Sequence, residues 1–194
     1  NAGRPAVFCR FSGCNLWSGR EQDRATTQCR FCDTEFVGTD GDGGGKFADA
    51  ASLAARIASF WPAEDARHRF VVLTGGEPLL QVDAALIEAL HALHFEIAVE
   101  TNGTVSAPHG IDWLTVSPKA GTAWVQRSGS ELKLVWPQPG FDLDELESAG
   151  FTHRFLQPMD SAARDRNIET CIAQCLVRPA WRLSLQTHKI TGIR

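Results

Sequence analysis

The segment RFVVLTGGEP, from Arg69 to Pro78, joins an apolar run to an abrupt end that contains two adjacent glycines. A short continuous run of β-branched, aromatic and aliphatic residues is typical of a strand that is buried on both faces. Adjacent glycines permit a sharp turn and let the backbone come close to another group. The segment therefore predicts a buried strand that ends in a glycine turn, where the backbone can come close to another group.

The same organisation extends outward in both directions from this segment. Apolar residues at helical spacing over Asp49–Trp61 and Val82–His94 separate it from strand-like runs at Arg4–Phe11 and Phe95–Gly103. An alternation of strands and helices predicts right-handed crossovers and a mainly parallel sheet. Further strands are predicted at Ile111–Lys119, Glu131–Trp136, Thr152–Met159 and Trp181–Lys189, and further helices at Asp142–Gly150 and Ala163–Leu176.

Several predicted strands end in a polar or glycine-containing signature. These signatures read TGGEP, ETNG, SPK, QPMD and QTHK in chain order. In α/β sheets and barrels, ligands and catalytic groups lie at the carboxyl ends of the parallel strands. We therefore predict a functional site at that edge of the sheet.

Size and charge narrow the class of protein. The chain has 194 residues, which fits a single domain over 1–194, and its net charge of −4 argues against broad nucleic-acid binding. No apolar run approaches the roughly 20 residues that a membrane span needs. The first residues also lack a charged segment followed by an apolar one, so we expect a cytoplasmic protein without a membrane partner.

Three of the six cysteines stand close together in the sequence, as Cys14, Cys29 and Cys32 with the spacing C-x14-C-x2-C. A structural zinc ion prefers four closed ligands, usually as two short-spaced pairs, so a zinc-binding interaction module is the weaker alternative. An iron–sulfur cluster takes cysteine thiolates at variable spacing, and three ligands leave one iron open. We refer to residues 12–36 as the cluster loop.

The other three cysteines read as packing residues. Cys9 lies within an apolar strand, and Cys171 and Cys175 are four positions apart on one face of a predicted helix. Free cysteine packs as a small hydrophobic side chain, so we expect these thiols in the core.

The motifs resemble those of radical S-adenosylmethionine (radical SAM) enzymes. Cys29-Arg-Phe-Cys32 has the aromatic residue that precedes the last cluster cysteine in that superfamily, and Gly75-Gly76-Glu77 matches its GGE motif. The usual spacing there is C-x3-C-x2-C, from which this chain departs. Nearly the whole chain looks like the 7-carboxy-7-deazaguanine synthase family, in which expanded cluster loops occur. The matching segments are GRPAVFCRFSGCNLW, CDTEF, TGGEPLLQ, ETNGT, SPK, QPMD and LSLQTHK.

The resemblance implies a small, incomplete parallel (β/α) barrel and a specific reaction. The substrate 6-carboxy-5,6,7,8-tetrahydropterin would become 7-carboxy-7-deazaguanine with loss of ammonia, on the route to queuosine. The implied cofactors are a 4Fe-4S cluster, S-adenosylmethionine and Mg²⁺, and the radical arises from the cofactor rather than from a catalytic side chain. A flavodoxin-like or other low-potential reductant and a homodimer are also implied. A radical SAM enzyme that generates a glycyl radical in another protein is the alternative within the superfamily.

The resemblance also assigns site residues. Cys14, Cys29 and Cys32 would hold the cluster, with the Glu77 carboxylate available to the ammonium of S-adenosylmethionine. Arg10, Thr74 and His188 would contact the substrate, Arg10 by clamping its carboxylate. Thr34 would bind Mg²⁺, with Asp33 as the rival oxygen ligand. The expected contacts of S-adenosylmethionine are Gly75, Gly76, Glu77, Glu100, Asn102, Ser117, Pro118, Lys119, Gln157, Pro158, Met159 and Asp160.

Overall fold

The structure, a computed structural model that describes residues 3–192, contains one sheet of seven parallel strands. The strands stand side by side in chain order, so each pairs with the strand that precedes it in the sequence. They are β1 (Val7–Phe11), β2 (Phe70–Gly75), β3 (Glu96–Thr101), β4 (Trp113–Val116), β5 (Ser128–Trp136), β6 (Gly150–Pro158) and β7 (Trp181–Leu183).

Five α-helices connect or follow these strands within residues 3–192. They are α1 (Ala50–Ala58), α2 (Ala84–Ala92), α3 (Leu143–Glu147), α4 (Arg164–Val177) and α5 (Thr187–Thr191). Three of them begin at an aspartate whose side chain accepts a hydrogen bond from a first-turn amide: Asp49 at α1, Asp83 at α2 and Asp142 at α3. None of these described helices has the length and apolar character that a bilayer crossing requires.

The hydrophobic core lies between the helices and one face of the sheet. Leu73, Val99 and Leu134 come from three different strands, expose no surface, and belong to one cluster with Ile57 of α1 and Leu90 of α2. Because side chains alternate between the faces of a strand, the residues next to these core positions point to the opposite face.

The opposite face carries polar side chains near its carboxyl edge. Arg10 and Thr74 are register partners on β1 and β2, and Glu100 and Lys133 form an ion pair between β3 and β5. Parallel sheets are normally covered by apolar elements on both faces. A polar face is therefore the part of the fold that is suited to hold a polar ligand.

The strand order explains why this face is left open. Right-handed crossovers between neighbouring strands place all connections on the same side when the order never reverses. In the described sheet, β1 and β7 each pair with a single strand, so the sheet does not close into a complete barrel. The predicted fold class, a small and incomplete parallel (β/α) barrel, is confirmed.

The predicted last strand, Trp181–Lys189, is wrong after Leu183. The ladder ends where the Ser184 amide donates to the Leu156 carbonyl at 2.9 Å, and the chain then enters helix α5. Apolar and polar residues alternate in LSLQ, which imitates a strand. The side chains that follow make polar contacts with distant segments, and no local pattern encodes those contacts.

Candidate active site

The cluster loop folds into a small packed unit at the carboxyl end of β1. Trp17 and Phe36 are buried and meet edge to face, with ring centroids 5.7 Å apart. The Arg24 guanidinium lies 4.2 Å above the Trp17 ring and donates to the Cys32 carbonyl oxygen at 3.1 Å. The long spacing between Cys14 and Cys29 is thus taken up by ordered structure rather than by a slack loop.

The three cysteines of this loop have free thiols that influence one another's ionisation. The hydrogen bond between Cys29 and Cys32 raises the pKa of Cys29 and lowers the pKa of Cys32 to about 6. Burial raises the pKa of Cys14. Over residues 3–192, no three His, Cys, Asp or Glu side chains are grouped so that they could hold one metal ion. Cysteine thiolates are the ligand type that a four-iron cluster takes, so the chemistry of these three side chains fits such a cluster.

The glycine turn after β2 lies directly against the backbone of the cluster loop. The Gly76 amide donates to the Phe11 carbonyl at 3.0 Å, and the Glu77 amide donates to the Gly13 carbonyl at 2.9 Å. Gly75 has a φ of 116°, where side chains are rarely tolerated, and a β-carbon at Gly76 would overlap the Gly13 carbonyl. The two glycines are therefore required by the protein's own packing, and a close ligand is not needed to explain them.

The Glu77 side chain is fully buried and its carboxylate is already occupied. One oxygen accepts from the Leu79 amide at 3.0 Å and the Thr101 hydroxyl at 2.7 Å, and the other accepts from the Asn102 amide at 2.7 Å. Burial raises the pKa of Glu77, and the hydrogen bonds from Asn102 and Thr101 oppose that rise. The sequence suggested pairing with a ligand ammonium. The structure instead directs this carboxylate into the protein, where it holds the end of β3.

Asn102 links the end of β3 to the cluster loop. Its side-chain amide donates to the Asn15 Oδ1 atom at 3.0 Å and lies 4.0 Å from the Cys14 sulfur. Asn15 in turn donates to the Thr104 hydroxyl at 2.7 Å. Sequence reasoning missed the contributions of Asn15 and Thr104, for which the only signal was their place inside the segments CNLW and ETNGT.

Two lysines bring positive charge to this region. Lys119, at the end of β4, donates to the Ser117 hydroxyl at 2.9 Å, and burial lowers its pKa while the thiol of Cys29 acts in the opposite sense. Lys133 pairs with Glu100; burial opposes its charge, but Glu100 prevails and raises the pKa of Lys133. Lys133 was not predicted, because its ion pair with Glu100 reaches from β5 to β3 across β4 and exists only in the folded sheet.

The remaining predicted contacts of S-adenosylmethionine lie at the ends of β4 and β6. Pro118 and Pro158 are buried, and Gln157 is partly buried. The Met159 amide donates to the Trp136 carbonyl at 2.8 Å, which fixes the backbone beyond β6. Asp160 pairs with Lys189 of α5. The structure thus brings these residues to the same edge of the sheet as the cluster loop.

The predicted substrate residues occupy different surroundings. Arg10 and Thr74 are register neighbours on the polar face; the Arg10 side chain is exposed and makes no hydrogen bond or ion pair within residues 3–192. Thr34 follows Cys32 and is partly buried. His188 is exposed on α5, whose neighbouring Lys189 contacts the cluster loop at Asp33. Arg10 therefore has its full donor capacity available for a ligand.

A parallel barrel-type sheet with a three-cysteine loop after its first strand and a GGE turn after its second defines a radical SAM enzyme. No protein-family model matches the chain. Two synthases named 7-carboxy-7-deazaguanine synthase are each 58% identical to it: one from Burkholderia multivorans over 193 residues, covering 100% of this chain and 91% of the relative, and one from Bradyrhizobium diazoefficiens over 194 residues, covering 100% and 92%. The chain belongs to the 7-carboxy-7-deazaguanine synthase family.

A solved structure agrees with this assignment. The crystal structure of QueE from Escherichia coli superposes with a TM-score of 0.67 and 26% sequence identity, and the match covers 95% of this chain and 86% of that one. The similarity therefore extends through the sheet and is not confined to the cysteine loop.

The contact between the glycine turn and the cluster loop generates a prediction. Gly76→Ala should lower the free energy of unfolding by about 1–3 kcal/mol, because the new methyl group must displace backbone. It should also reduce the iron and sulfide retained after anaerobic reconstitution, since Cys14 directly follows Gly13. Urea unfolding and iron analysis measure the two effects.

Gly41→Ala is the matched control, because Gly41 does not have a positive φ and no atom lies within 4 Å of an added β-carbon. The interpretation is contradicted if the two variants behave alike.

Proposed function

We propose that the chain is a radical SAM lyase that converts 6-carboxy-5,6,7,8-tetrahydropterin to 7-carboxy-7-deazaguanine with release of ammonia, in the biosynthesis of queuosine. The observation that carries the proposal is the meeting of the cysteine loop and the GGE turn at the carboxyl edge of the sheet. The family name of the close relatives supports the same reaction.

Cys14, Cys29 and Cys32 would hold a 4Fe-4S cluster, leaving one iron without a protein ligand. A cluster held by these three thiolates would supply the one-electron chemistry that cleavage of S-adenosylmethionine requires. In the protein without a cluster, the hydrogen bond between Cys29 and Cys32 lowers the pKa of Cys32 and raises the pKa of Cys29, so Cys32 is the thiol of this pair that ionises first. Lys119 places a cation near these thiols and offsets part of their negative charge.

The binding region for S-adenosylmethionine would follow the carboxyl ends of β2 to β6. Backbone groups at Gly75 and Gly76 and the side chain of Asn102 stand beside the cluster loop. The segments 117–119 and 157–160 complete the edge, and Glu100 offers a carboxylate for ribose hydroxyls. Glu77 acts indirectly in this proposal, because its buried carboxylate positions Asn102.

The polar face would hold the pterin. Arg10 can present two parallel N–H donors to the substrate carboxylate, a geometry that guanidinium suits better than ammonium. Its register partner Thr74 and the exposed His188 would contact other polar atoms of the pterin. Since the radical comes from the cofactor, these residues bind and orient the substrate.

Mg²⁺ would bind between Thr34 and the substrate carboxylate. Mg²⁺ prefers oxygen ligands in near-octahedral geometry and keeps several waters. Asp33, the rival ligand, already accepts hydrogen bonds from Lys189 and from Gln186, the latter at 2.9 Å. That engagement favours the Thr34 hydroxyl as the residue left for the metal.

The remaining partners are also part of the proposal. A low-potential reductant such as a flavodoxin would supply electrons, and two copies of the chain would form a homodimer in the cytoplasm. No nucleic-acid partner is proposed, which agrees with the net charge of −4.

Anaerobic incubation with S-adenosylmethionine, dithionite, Mg²⁺ and the carboxypterin, followed by mass analysis, tests the reaction. The expected result is 7-carboxy-7-deazaguanine that requires every component. Cofactor cleavage without consumption of the pterin would reject the substrate and would favour another radical SAM activity.

The cysteine assignment predicts a contrast between two variants. Cys29→Ala should remove most of the cluster absorbance and abolish cleavage of S-adenosylmethionine, because one iron loses its thiolate. Cys171→Ala should keep both properties, since Cys171 is a fully buried core residue. Visible absorbance and assay of 5′-deoxyadenosine provide the readouts; equal losses in both variants would refute the assignment.

The carboxylate clamp predicts a selective effect of Arg10→Ala. Loss of a charge-assisted contact costs about 1.5–3 kcal/mol, which corresponds to roughly a 10- to 150-fold higher KM for the carboxypterin. Binding of S-adenosylmethionine should change little. Arg166→Ala removes an exposed arginine on α4 and serves as the control. An unchanged KM for Arg10→Ala would exclude the clamp.

The metal proposal predicts that Thr34→Ala weakens the stimulation of turnover by Mg²⁺ while the cluster spectrum stays normal. Thr34→Ser keeps a hydroxyl and should restore the response. Titration of turnover with Mg²⁺ distinguishes the variants. A wild-type response in Thr34→Ala, or its complete loss in Asp33→Asn alone, would transfer the role to another residue.

A further inference from the structure

The ammonium of Lys189 joins three separate segments of the active-site edge. Lys189 belongs to helix α5 and forms ion pairs with Asp33 of the cluster loop and with Asp160, which follows β6. Asp33 is next to Cys32, and Asp160 closes the QPMD segment. One side chain thus links the cluster loop, the predicted cofactor segment and the last helix.

Helix α5 has little else to hold it in place. It comprises five residues, Thr187–Thr191, none of which is buried. A helix of this length is not stable in water by itself. Leu185 precedes the helix and Ile190 lies within it; they are 45% and 59% exposed, so apolar burial supports the docking of α5 only in part. The docking of α5 must therefore depend largely on polar contacts.

Those polar contacts converge on Asp33. Gln186 Nε2 donates to the Asp33 Oδ2 atom at 2.9 Å, and Lys189 donates to the same oxygen and to Asp160 Oδ2. The Lys189 side chain is 26% exposed, so solvent weakens each ion pair but does not abolish it. Two of the three N–H groups of the ammonium are used in these contacts, which indicates an anchor rather than a free ligand-binding group.

The anchored helix presents His188, the residue before Lys189. The His188 side chain is exposed, and its imidazole makes no hydrogen bond or ion pair with residues 3–192, so the position of this ring follows the placement of α5. Rotation or release of the helix would displace His188 together with Lys189. Any effect of Lys189 on the substrate would therefore be exerted through His188.

We propose that Lys189 is a positioning residue that docks α5 against the cluster loop and the segment after β6, and so holds His188 at the substrate. The docking itself rests on the geometry above. The link to the substrate rests on the proposed function, in which His188 contacts the pterin.

The test compares Lys189→Met with wild type in the reconstituted holoenzyme, by hydrogen–deuterium exchange and by kinetics. Exchange of the amides of residues 185–192 should become about fivefold to tenfold faster, and the remaining amides should keep their rates. The KM for the carboxypterin should rise by a similar factor. The KM for S-adenosylmethionine and the iron content should change less than twofold.

Two further variants control for charge and for the mutation itself. Lys189→Arg retains the positive charge and both carboxylate contacts, so it should recover most of the protection and most of the affinity. Lys46→Met makes the same substitution at an exposed lysine without a hydrogen bond or ion pair in the described chain. It should behave as wild type in both measurements.

Unchanged exchange at residues 185–192 in Lys189→Met would overturn the docking role. Faster exchange with an unchanged KM would overturn the positioning role. A wild-type enzyme that does not convert the carboxypterin would reject the proposed function instead, and the exchange comparison would still decide whether Lys189 docks α5.

Discussion

The buried carboxylate of Glu77 is the constraint on which the rest of the active-site edge depends. An isolated buried charge is costly, and it is tolerated here because three donors satisfy it: the Leu79 amide, the Thr101 hydroxyl and the Asn102 amide. The Glu77 amide meanwhile donates to the Gly13 carbonyl. A single residue therefore locks the turn after β2 to the end of β3 and to the cluster loop.

The second organising feature is that one face of the sheet is apolar and the other is polar. The face toward the helices supplies the apolar core, with Leu73, Val99 and Leu134 entirely buried. Because the strand order never reverses, the connections leave the other face without helices, and that face carries Arg10 and the Glu100–Lys133 pair. Alternate residues of the same strands thus supply the apolar core and the polar face.

The expanded cluster loop shows how unequal cysteine spacing is compatible with a defined site. The Trp17–Phe36 pair gives the loop its own small apolar centre, and Arg24 covers Trp17 and holds the Cys32 carbonyl. The long segment between Cys14 and Cys29 is therefore held in place by its own packing. Asp33 of the same loop forms an ion pair with Lys189 of α5, so the conformation of the loop and the position of that helix are linked.

The sequence by itself determined the alternation of strands and helices, the three-cysteine loop and the gathering of the polar and glycine motifs at one edge of the sheet. Those features depend on local periodicity, on turn residues and on motif spacing, all of which are written in consecutive residues. Tertiary structure alone decided that Glu77 turns inward, that Lys133 neutralises Glu100, and that the chain after Leu183 becomes a docked helix. Each of these outcomes depends on partners that are distant in sequence, such as Lys189 with Asp33. Their geometry arises only when the strands adopt their register, so no pattern in neighbouring residues could have specified it.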